Sequence, residues 1–111
     1  MSKEIRFPKD YNFIFVPLFG DTARVRLLEF FLYISAQADA RVFTYISQIS
    51  RLLDMSKSSV KKNVDELIES GILDESTVET HAQNPKRNLS LNEDNEDVRK
   101  LRHFYNDLQP P

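Results

Sequence analysis

The 111-residue chain contains no cysteine. That excludes a disulfide framework and thiolate metal sites, and it accords with a reducing compartment. Glycine occurs only twice, and no stretch is of low complexity. A glycine-rich loop able to cradle a phosphate is therefore absent. No apolar run approaches the roughly 18 residues needed to cross a bilayer. The opening MSKEIRFPKD is too polar for a secretory leader. The expected location is cytoplasmic. Histidine is equally scarce: His81 and His103 are the two present, and neither falls in a metal-ligand spacing. No catalytic role, metal or cofactor is expected. Glu29, the one acid inside an otherwise apolar helical stretch, is expected on that helix's exposed side.

What the chain does have is sorted charge. The net charge is only −2, but the signs are segregated. Residues 56–64 carry Lys57, Lys61 and Lys62 and no acid. Residues 65–79 carry Asp65, Glu66, Glu69, Asp74, Glu75 and Glu79 and no base. Lys86 and Arg87 follow, and then an acidic block from Glu93 to Asp97. A slightly acidic protein can still present one basic face to a polyanion.

The length fits one domain, with three segments expected: an aromatic arm over 1–19, a core unit over 20–92, and a terminal helix within 93–111. In the arm, Tyr11, Phe13 and Phe15 alternate, which suggests an extended segment with one apolar side, interrupted by Pro8 and Pro17. So aromatic an arm packs either on its own domain or across a dimer. Asp21 is a fitting N-cap for a helix over 22–38. Residues 42–45 read as a short strand. A helix over 46–53 follows, capped by Thr44 or Ser47, with Ile46, Ile49, Leu52 and Leu53 inward. Asp54 and Met55 make a turn, and Ser56 caps a helix 57–70 whose buried stripe is Val60, Val64, Leu67 and Ile68. Gly71 stops it. Strands over 72–80 and 88–91 flank a turn-rich tip, giving an antiparallel hairpin. Val98, Leu101, Tyr105 and Leu108, spaced by three and four in a helix over 96–108, form a narrow seam. That seam suits a homodimer interface or packing back onto the domain. The expected fold class is mainly α with a small β-hairpin (α+β).

Residues 46–73 are the most informative stretch. Two short amphipathic helices joined by a tight turn make a helix-turn-helix, and the hairpin behind it suggests a winged one, an arrangement that docks its second helix in the major groove of duplex DNA. Lys57, Lys61 and Lys62 would meet phosphates or guanine edges. Ser56, Ser58, Ser59 and Asn63 would hydrogen-bond bases or backbone. Lys86 and Arg87, in a wing over 81–87, would reach the backbone or minor groove. Two bland readings stand beside these: a solvated helix face and a solvated hairpin tip. Arg24 and Arg26 are expected to pair with Glu29 or other acids.

The residues Val60, Val64, Leu67, Gly71, Ile72 and Leu73, together with FGDTARVRLLEFFL at 19–32, resemble winged helix-turn-helix regulators of the ArsR, MarR and TrmB type. The resemblance covers about residues 19–92. It implies sequence-specific DNA binding in transcription regulation, with two recognition helices in a homodimer meeting two half-sites. Two positions depart from the pattern: Ser50 stands where a small alanine is common, and Asp54 stands where glycine is common. Metal-sensing relatives use cysteine and histidine clusters that are missing here, so no metal sensing is implied. A module of the same fold that binds protein within a transcription, replication or partition assembly is the alternative.

Overall fold

The computed structural model describes residues 5–37, 41–77 and 87–109, with the backbone alone at Thr77 and Arg87. In chain order the elements are α1 (Val16–Phe19), α2 (Ala23–Ala36), α3 (Ile46–Leu53), α4 (Lys57–Glu69), β1 (Leu73–Thr77), β2 (Arg87–Leu91) and α5 (Glu96–Leu108). The protein is thus mainly helical with one two-stranded antiparallel hairpin. Leu73 pairs with Leu91 at its base and Thr77 with Arg87 at its far end. No helix among the described residues is long and apolar enough to cross a membrane.

The core forms where the inner faces of these elements meet. Leu27, Phe30 and Phe31 of α2, Ile49 of α3, Val60 and Val64 of α4, and Leu89 of β2 are all fully buried. The α4 stripe at 60, 64 and 67 follows helical periodicity, so these three side chains share one inward face. Gly71 ends α4 with φ +81. The Ile72 N–H then bonds the Leu67 carbonyl at 2.9 Å and the Gly71 N–H bonds Ile68 at 3.0 Å, a complete Schellman closure. The side-chain amides of Asn92 and Asn95 both donate to the Gly71 carbonyl at 2.9 Å, which ties the end of α4 to the start of α5.

Several local expectations are corrected. The α2 cap is Thr22, whose hydroxyl accepts the Val25 N–H at 3.2 Å. Asp21 is instead held by Arg26 at 2.5 and 3.0 Å. The strand expected over 42–45 reduces to a single bridge, in which Thr44 and Leu89 exchange backbone bonds of 2.8 and 2.7 Å. Neither Thr44 nor Ser47 caps α3. Its N-cap is Tyr45, with no side-chain bond, while the Thr44 hydroxyl donates to Gln48 at 2.7 Å. The far ends expected for the strands and for helix 22–38, at 78–80 and at residue 38, lie outside the described residues.

Among its described residues the arm is irregular and joins no sheet. Its residues 16–19 form the short turn α1, with Pro17 in its first turn. The rest folds its rings onto its own subunit: Phe7 lies 5.2 Å from Phe30 and 5.3 Å from Tyr33, centroid to centroid. Glu29 holds it there. Contrary to expectation that carboxylate is fully buried. It accepts the backbone N–H groups of Ile14 at 2.8 Å and Phe15 at 2.7 Å, and the Tyr11 hydroxyl at 2.5 Å. The donors at the entry to α1 would otherwise be unpaired in an apolar site, so the acid is buried because the arm needs an acceptor there. Tyr11 in turn shares a 2.8 Å hydroxyl contact with Tyr105 of α5.

Of the two uses open to the seam on α5, packing back onto the domain is the one seen for Val98 and Tyr105. Val98 and Tyr105 are each only 1% exposed and belong to the chain's own core. Leu101 packs against that core half-buried, and of the four only Leu108 stands exposed. The aromatic arm covers this side of α5, with Phe15 edge-on to Tyr105 at 5.9 Å.

Candidate nucleic-acid interface

The approach between α3 and α4 is fixed by the turn joining them. Asp54 takes the left-handed conformation at φ 53, ψ 50, which aspartate tolerates better than most residues. The Met55 N–H returns to the Ser50 carbonyl at 3.0 Å. The Ser50 hydroxyl donates to the Met55 carbonyl, so this serine closes the turn from its other side.

Ser56 then starts α4 as its N-cap, accepting the Ser59 N–H at 3.2 Å. With Val60, Val64 and Leu67 inward, helical geometry sends Ser58, Lys61 and Lys62 outward, and Lys57 lies at the flank. All four are exposed. Among the described residues Lys57, Lys61 and Lys62 make no ion pair. Three of the serine and asparagine candidates are partly committed to the helix itself. Ser56 is the cap, Ser59 is half-buried, and the Asn63 amide donates to the Ser59 carbonyl at 2.8 Å. Asn63 keeps its carbonyl oxygen as an acceptor. Lys86 lies outside the described residues, as does the side chain of Arg87, whose backbone pairs with Thr77.

The charges on α4 oppose its own dipole. No acid occupies the first turn and no base the last. Lysines near an N-terminus and acids near a C-terminus each cost a helix some tenths of a kcal/mol, so helix stability does not account for the pattern. The acidic half is partly used at home: Glu66 forms an ion pair with Arg24 of α2. The other arginine, Arg26, pairs with Asp21 and lies 4.9 Å over the Phe13 ring.

Two cations escaped the sequence reading. Lys9 of the arm and Arg51 in the last turn of α3 line a cleft of about 550 Å³ beside the turn, with Phe7 and Tyr11 on one wall and Leu52 and Leu53 on the other. Neither forms an ion pair among the described residues. Arg51 was visible as a base next to the turn. Lys9 was not, because only the folding of the arm brings it there. No cluster of three or more metal-ligating side chains occurs among the described residues. No family model matches this chain, and neither the curated proteins nor the solved structures contain a significant match to it.

Proposed function

We propose that the chain is a winged helix-turn-helix protein that binds duplex DNA sequence-specifically and regulates transcription in the cytoplasm. One observation carries this reading. Lys57 at the first position of α4, where it opposes the helix dipole, and Lys61 and Lys62 in the next turn stand exposed and without an ion-pair partner among the described residues. Their positive charges add to the dipole's positive end, so this end of α4 attracts phosphate. α4 enters the major groove front first. Lys57, Lys61 and Lys62 neutralise phosphates or donate to guanine. Ser58 and the Asn63 carbonyl face base edges. Asp65 and Glu69, further along the outer face, stay clear of the phosphate rows. The hairpin β1–β2, whose tip carries Lys86 and Arg87 in sequence, lies beside α4 as the wing.

The salt dependence of binding tests this. Fluorescence anisotropy on duplex DNA should show affinity falling steeply with salt. Replacing Lys61 and Lys62 by alanine should weaken binding to all sequences and reduce the log–log salt slope by about 2. An unchanged slope would remove these lysines from the phosphate contacts. Failure to bind random duplex even at low salt would turn the reading to the protein-binding module. The acidic back half of α4 fits that rival.

A further inference from the structure

The cleft of about 550 Å³ beside the turn between α3 and α4 carries cations that α4 does not supply. The arm brings Lys9 to it on a tight turn, in which the Tyr11 N–H donates to the Pro8 carbonyl at 3.2 Å. Both ends of that turn are fixed. Phe7 before it packs on Phe30 and Tyr33. The Tyr11 hydroxyl after it donates to the buried Glu29 carboxylate at 2.5 Å. The backbone at Lys9 is thus held in place while its side chain stays exposed. Arg51, exposed in the last turn of α3, lines the same cleft from a distant part of the chain.

The charges on this lining do not cancel. Arg26 is spent on Asp21, through bonds of 2.5 and 3.0 Å. Asp54 is the one acid among the lining residues, and Asp10, next to Lys9 in sequence, is not one of them. Lys9 and Arg51 form no ion pair among the described residues. Two free cations against one carboxylate leave the cleft positive. Gathering like charges works against folding, so the pair calls for an anion from outside.

We propose that this cleft is a second phosphate site, in which Lys9 and Arg51 hold the backbone of the duplex that α4 enters. The proposal rests on the DNA reading of α4 and adds to it a contact made by the arm. The Arg51 guanidinium grips two phosphate oxygens at once and Lys9 acts as a point charge. The apolar walls, with Phe7, Leu52 and Leu53, strengthen both attractions by excluding water. Position selects DNA over a free anion. Asp54 lies three residues before Lys57, so the cleft continues the lysine front of α4, and a strand lying along Lys57 runs on into it. Contacts of this kind fix the protein's register on the duplex and carry no sequence information. Asp54 opposes the strand and moderates the grip.

Fluorescence anisotropy with the full chain, on duplex extending beyond the α4 site, tests this. Lys9→Ala and Arg51→Ala should each lower the log–log salt slope by about 1, equally on selected and random sequences, and together by about 2, in addition to the loss from Lys61 and Lys62. Both side chains are exposed, so helical circular dichroism should be unchanged. Asp54→Asn keeps a residue that tolerates the left-handed turn and should tighten binding. Steep salt dependence in the wild type with slopes unaltered by Lys9→Ala and Arg51→Ala would overturn this proposal and leave the DNA reading standing. So would an Asp54→Asn variant that binds no better, or a tight complex with inorganic phosphate alone that is lost in Lys9→Ala while the duplex slope is kept. A wild-type protein that binds no duplex at low salt would end both.

Discussion

Glu29 receives the Tyr11 hydroxyl and Tyr11 meets Tyr105, a line of three polar side chains running from α2 through the arm to α5. Burial pushes the Tyr11 phenol well above its ordinary range, and its bonds to Glu29 and Tyr105 push it the same way. Burial also raises Tyr105, against the lowering effect of its bonds to Tyr11 and Gln109. The unfolded chain loses these two protons near the ordinary tyrosine value, whereas the folded chain keeps them. Their contribution to stability is therefore complete below about pH 10 and is lost as pH rises beyond it, by up to about 1.4 kcal/mol per unit and group. In a spectrophotometric titration near 295 nm, these two phenols should ionise only together with loss of far-UV circular dichroism. Tyr11→Phe should remove its share of that coincident step. None of this was legible from periodicity. Leu27, Leu28, Phe30 and Phe31 surround Glu29 in sequence, and an acid among them is ordinarily assigned to the wet side of its helix. The reason to bury it, two backbone donors arriving from the arm, exists only in three dimensions.

Both ends of α4 and the turn before it were legible because their chemistry is local, whereas the caps of α2 and α3 were misplaced by a residue or more. Ser56 as N-cap, Asp54 in a left-handed turn and Gly71 as terminator follow from the conformational preferences of single residues. Gly71 is doubly constrained. A side chain there would be strained at φ +81, and its Cβ would come 3.3 Å from the Asn95 amide. Gly71→Ala should cost about 1–2 kcal/mol, seen as a lower thermal midpoint, and should loosen the link between α4 and α5. Other misjudged segments were those whose state depends on a distant partner. Residues 42–45 have the side chains of a strand, yet only Thr44 finds Leu89 to pair with. Tyr11, Phe13 and Phe15 alternate as in a strand but have no neighbouring ladder, and their rings settle on α2 and α5 instead. Of the candidate interface, the lysines of α4 could be read from the chain, while Lys9 could not.

On the scale of the whole molecule, the arm covers the junction of α2 and α5. Deleting residues 1–15 would leave the Glu29 carboxylate without its three donors and bare the Phe30 ring. At about 1.5–3 kcal/mol for each bond to a charged group, the loss should exceed about 3 kcal/mol, a large part of the total for a domain of this size. Calorimetry should show a lower, broadened transition, with dye binding to newly bared apolar surface; an unchanged melt would show the arm to be dispensable. Arm and final helix also share a surface, since Phe19 and Phe104 lie side by side.

The hydroxyl contact between Tyr11 and Tyr105 joins residues 94 positions apart in sequence. During synthesis the ribosome releases the arm long before α5 exists. For that interval its rings and the Glu29 carboxylate lack their last neighbour. Closure comes only when Tyr105 has left the exit tunnel, so the aromatic arm waits for a helix made long after it before it finds its permanent seat.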